Sequence, residues 1–131
     1  MMTQYNYISM TTIGVVVWFA AALFIRYYEA MLFGAPDQNL AILYAVTAPV
    51  SYVSVLIAQK LAKLTAQTLC TGLCVGTAAA LLLDGLALVW APQIYSMAAS
   101  PVPYGSAWLL WGVCWLLASA VIISRRQLSA A

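Results

Sequence analysis

Apolar residues run through this chain in four long blocks, broken only by short polar stretches. The blocks cover about residues 8–33, 40–57, 66–90 and 107–123, against the roughly 20 residues that a helix needs to cross a bilayer. The second and fourth lie near the short end of that requirement. Within each block the apolar run is continuous, without the polar-in, apolar-out alternation of a membrane β-barrel strand, so helices are expected. The pattern predicts an all-α integral membrane four-helix bundle, with one domain filling residues 1–131. The first block has no Lys or Arg before it and is longer than the 7–15 or so residues of a signal-peptide core, so it reads as a retained helix.

Composition agrees with lipid as the solvent. The chain is 66% hydrophobic and 6% charged, far from the roughly 45–50% apolar content of soluble domains. Its basic residues are distributed unevenly. Lys60 and Lys63 lie in the second connection and Arg125 and Arg126 follow the fourth block, whereas the connections at 34–39 and 91–106 carry no Lys or Arg. The positive-inside rule then orients the bundle with both termini in the cytoplasm. The net charge of +2 reports this orientation and implies no nucleic-acid partner. Tyr27, Tyr28, Phe33, Tyr44, Trp90, Tyr95, Tyr104, Trp108 and Trp111 gather near the opposite connections, where they read as an interfacial aromatic belt.

Proline and glycine add detail. Pro92, Pro101 and Pro103 make the 91–106 connection a stiff outer flap, and Pro49 should bend the second helix, with Thr47, Ser51 and Ser54 near the freed carbonyls. In the third block Thr68, Gly72, Gly76 and Ala80 recur every four residues, forming a slanted stripe of small side chains on which another backbone can close in. The spacing does not say whether that backbone belongs to the same chain or to a second copy; the internal seams of a bundle favour the same chain.

Asp84 continues the stripe and interrupts an otherwise apolar run. A charge at that depth costs roughly 2.5–3.5 kcal/mol on the insertion scale, so it needs a partner or a task. Arg26 stands eight residues before Gly34 and Asp84 eight before Pro92, which puts both on the order of 10 Å inside the same connections. Glu29 follows Arg26 by three positions. An intramembrane charge network of Arg26, Glu29 and Asp84 is therefore expected if the first and third helices touch, with the guanidinium serving both acids. Its simplest role is to orient helices; the functional alternative is that Asp84 binds a proton or a cationic substrate.

Conventional active-site chemistry is sparse. Without histidine the commonest metal ligand and general base are missing, and Cys70 and Cys74 lack the C-x-x-C spacing of thiol oxidoreductases. Cys114 is expected to be buried in the fourth helix. Neither an enzyme nor a cofactor is expected.

Trp18, Arg26 and Gly34 on the first helix, the run from Leu81 to Leu88 around Asp84, Pro92, and the Trp-Leu-Leu-Trp-Gly segment from Trp108 to Gly112 carry a resemblance that spans Ile13 to Ile122. In these motifs the chain resembles a family of small bacterial four-helix integral membrane proteins of unassigned function. The resemblance implies a multi-pass protein of the bacterial inner membrane and draws attention to Arg26 and Asp84. In size the chain is also similar to small multidrug transporters, but the middle of its first helix, Val15-Val16-Val17-Trp18-Phe19, lacks the acid those proteins carry there. Two functions are expected. The favoured one is a structural or accessory protein that packs in the bilayer within or beside a larger membrane complex; the alternative is a small homo-oligomeric transporter or channel using Asp84 and Arg26.

Overall fold

Four long helices account for most of the residues described by the computed structural model, which are 1–99 and 101–131. They are α1 (Gln4–Leu32), α2 (Gln38–Leu61), α3 (Leu69–Trp90) and α4 (Pro101–Ala130), with a one-turn 3₁₀ helix at Pro92–Ile94. Each of the four is long and apolar enough to cross a membrane.

The ends are set by local chemistry. At the start of α1 the Thr3 hydroxyl accepts from the Asn6 backbone N–H, while the Asn6 side chain accepts from the Thr3 backbone, forming a reciprocal capping box. Asp37 caps α2, accepting from the backbone N–H groups of Asn39 and Leu40 at 3.0 and 3.2 Å. At the other end of α2, Lys63 takes a left-handed conformation with φ 52°. Its N–H bonds the Lys60 carbonyl and the next N–H, of Leu64, bonds the Gln59 carbonyl, a Schellman closure with lysine where glycine is usual.

The helices pair one apart in sequence: α1 packs most extensively on α3, and α2 on α4. Both pairs are parallel. Asn6 at the start of α1 donates to the Ala62 carbonyl just before α3, and Arg26 near the end of α1 donates to the Gln93 carbonyl just after it. Thr47 meets Trp108 early in α2 and α4, and Gln59 meets Gln127 late in both. Lys60, Lys63, Arg125 and Arg126 therefore share one end of the bundle, here called the basic end. A core of Met10, Val55, Ala58, Ala62, Leu64, Leu69, Leu73, Ala120 and Ile123 packs that end. Ala22, Ile25, Phe33, Leu40, Ala87 and Tyr95 pack the other.

Three sequence expectations change. First, α4 begins at Pro101 and runs to Ala130, well beyond 107–123. Pro101 and Pro103 lie in its first turn, where the missing N–H would have had no helical partner, so they start a helix where they were expected to stiffen a flap. Second, a non-helical residue interrupts α1 at Tyr28 (φ −108°, ψ 15°), where an unbroken helix was expected, while Pro49 lies inside a continuous α2. Third, the aromatic belt is incomplete. Tyr27 and Trp90 are exposed, but Phe33 and Tyr95 belong to the core, and Phe33 packs 5.7 Å from the Trp108 ring centre.

Candidate functional site

Asp84 is 8% exposed, on the face of α3 that turns inward. Its partner comes from the chain that follows. Helix α3 stops at Ala91 (φ −144°, ψ 51°), and Pro92 opens the 3₁₀ turn, its carbonyl accepting from the Tyr95 and Ser96 N–H groups as the chain turns back. The reversal carries Tyr95 back into the bundle, where it is 1% exposed. Its hydroxyl donates to Asp84 Oδ1 and accepts from Trp18 Nε1 of α1 at 3.0 Å. Burial first, then the hydrogen bond to Asp84, pushes the Tyr95 phenol above its ordinary value, which keeps it protonated as the donor.

The expected network of Arg26, Glu29 and Asp84 is not what the structure assembles. Arg26 is exposed and gives its Nη1 proton to the Gln93 carbonyl at 3.0 Å, clasping the reversed segment from outside. Glu29 bonds neither group, and its Oε2 is buried without a hydrogen-bond partner among the described residues. Phase alone does not separate them: Arg26 lies about 40° round from Ala22 and about 100° from Ile25, both 0% exposed, so it stands at the edge of the inward face of α1 and its long side chain turns out to Gln93. Matching depth along the axis did not bring matching direction.

The small-residue stripe is used within the chain. A methyl group on Gly14 of α1 would collide with the Gly76 carbonyl, and one on Gly76 would lie 3.0 Å from the Met10 carbonyl oxygen. Gly72 instead makes room for the Leu64 side chain of the α2–α3 turn. Thr68 bonds Thr65 at the entry to α3, with its Oγ1 2.9 Å from the Thr65 N–H. Ala80 faces a cavity.

That cavity, of about 240 Å³, lies between the two packed ends and is lined by all four helices. Its walls are mostly apolar, from residues such as Val17, Val50, Leu73 and Leu116, with the indoles of Trp18 and Trp108 and the carboxylate of Asp84. No Lys or Arg lines it. The hydroxyls of Thr47, Ser54 and Thr77 donate to carbonyls one turn back, at 2.7 Å each, and Thr47 also accepts from Trp108 Nε1 at 2.9 Å. Asp84 also lines the cavity; its Oδ1 accepts from Tyr95, while its Oδ2, like the Ser51 hydroxyl on the same wall, makes no hydrogen bond among the described residues.

Sequence reasoning found Asp84 and the glycine of α3 but not Tyr95, Gly14 or the hydrogen-bonding role of Trp18. Gly14 stands between the larger Met10 and Trp18 at four-residue spacing on α1, so its part in the facing surface shows only once α3 is packed against it. The thiols stay apart from the site: Cys70 is half-buried, while Cys74 and Cys114 are exposed, so Cys114 is not the buried residue expected. No family model, curated protein or solved structure matches the chain.

Proposed function

We propose that this is a multi-pass protein of the bacterial inner membrane, N-in and C-in, that receives a small guest inside its bundle, as a binding protein of the transporter class. The observation that carries the reading is the cavity with the buried Asp84, bonded through one oxygen, on its wall. The cavity is partly open at its side, where the lining residues Val17 and Val50 are exposed, which gives a guest a way in. A cavity of about 150 Å³ holds benzene, so this one suits a guest of roughly one ring with a short chain. Four apolar helices with Lys60, Lys63, Arg125 and Arg126 at one end support the placement and orientation.

The accessory function expected from sequence needs a surface on which a partner can dock, and the glycine stripe of α3 does not offer one. With Gly76 closed against Gly14, that surface is spent inside the chain, which favours the guest reading.

Thermal unfolding of the purified protein in detergent, with and without toluene, tests it. A guest that binds only the folded state raises the midpoint by mass action. The wild type is expected to shift upward and a cavity-filling Val113→Trp variant not to shift; equal responses of the two would refute the proposal.

A further inference from the structure

The chemistry of the cavity walls narrows the guest, on the reading that a guest binds there. We infer that the guest is a small lipophilic cation, an ammonium on an aromatic or aliphatic body, whose charged end rests on Asp84 Oδ2.

Three observations converge. The only charged group lining the cavity is a carboxylate, and no Lys or Arg reaches it. Arg26, the nearest candidate counter-charge in sequence terms, is committed outside to Gln93. Asp84 is more than nine-tenths buried and lines the cavity, yet only its Oδ1 has a hydrogen-bond partner among the described residues. A carboxylate in apolar surroundings gains most from a group that brings both a positive charge and a hydrogen-bond donor. Trp18 and Trp108 also line the cavity, and indoles are the side chains that attract a cation best. The remaining wall, from Val17, Val50, Leu73 and Leu116, matches an apolar body. An anionic guest would meet Asp84 with like charge, and a neutral hydrocarbon would leave Oδ2 unsatisfied.

The test uses the full chain in lipid nanodiscs at neutral pH, titrated with phenethylamine and, separately, with n-propylbenzene, which replaces the ammonium by a methyl group. Indole N–H signals of Trp18 and Trp108, followed by NMR, report binding at the site and not partition into lipid. The amine should bind at least about 10-fold more tightly than the hydrocarbon, the scale of a hydrogen bond to a charged group. Asp84→Asn should bring the two to within about 2-fold, while Asp84→Glu keeps the preference. Equal affinities in the wild type would overturn the cation inference and leave a neutral-guest cavity, and that comparison needs no variant to fold. A preference that survives Asp84→Asn would overturn it as well. Silence of both indoles with both compounds would remove the guest reading itself.

Discussion

The Tyr95 hydroxyl donates to Oδ1 of Asp84 across the reversal that ends α3, so the buried acid is held by a residue eleven positions further along its own chain. A neutral donor does this without adding a charge. It also takes one oxygen only. Tyr95→Phe removes the donor and keeps the ring, leaving a buried carboxylate without its bond, and should cost about 1.5–3 kcal/mol. Trp18→Phe removes the next donor in the series, neutral to neutral, and should cost nearer 0.6 kcal/mol, roughly the mean for hydrogen bonds between membrane helices. Reversible unfolding in mixed detergent micelles measures both. The reverse ranking would mean that Trp18, and not Tyr95, carries the load.

Closeness of α1 and α3 depends on the absence of two side chains. Gly14→Ala forces a methyl against the Gly76 carbonyl, and the helices must part, at a cost of about 1–3 kcal/mol. Gly85→Ala, on the same helix as Gly76 but with nothing within 4 Å of the added carbon, should instead stabilise by up to about 1 kcal/mol through helix propensity. Opposite signs for two identical substitutions are the expected result. Loss of stability in both, measured in the same unfolding assay, would count against the Gly14–Gly76 contact.

Lys63 occupies the left-handed position that closes α2, where a side chain costs roughly 1 kcal/mol and glycine nothing. Its ammonium lies 5.5 Å from the Tyr5 ring centre, at a solvent-facing site where such a contact contributes about 0.5–1 kcal/mol. Lys63→Gly gives up the contact and relieves the backbone, so the two nearly cancel. Lys63→Ala gives up the contact and keeps the strain. The glycine variant should therefore be more stable than the alanine variant by about 1 kcal/mol. An alanine variant equal to glycine would mean that the turn is not held in the left-handed region.

The number and type of the helices were legible because unbroken apolar runs leave few alternatives, and burial of Asp84 was legible because a lone acid in such a run has few other places to go. The partner of Asp84 was not. Depth along a helix can be counted from the nearest loop, but not which partner a long side chain reaches, and Arg26, at the edge of the inward face, turns out to the Gln93 carbonyl. Tyr95 was obscured because an aromatic residue beside a proline-bearing connection reads equally well as a surface anchor. Only the return of the chain after Pro92 makes it part of the core. The prolines at 101 and 103 were read as breakers, although the same residues fit the first turn of a helix, and sequence alone did not separate the two. Gly14 stood alone among valines, and its meaning required knowing which helix α1 faces.

Two double-mutant cycles in one unfolding assay address the central claim, that Asp84 is held by Tyr95 and not by Arg26. One cycle combines Asp84→Asn with Tyr95→Phe, the other Asp84→Asn with Arg26→Gln, and each isolates a pairwise energy that single substitutions blur. A coupling of about 1–3 kcal/mol between Asp84 and Tyr95, with coupling to Arg26 near zero, is the predicted result. Strong coupling to Arg26 with none to Tyr95 would contradict the account, because Asp84 would then be neutralised by its own counter-charge and the cavity would have no carboxylate to offer a guest.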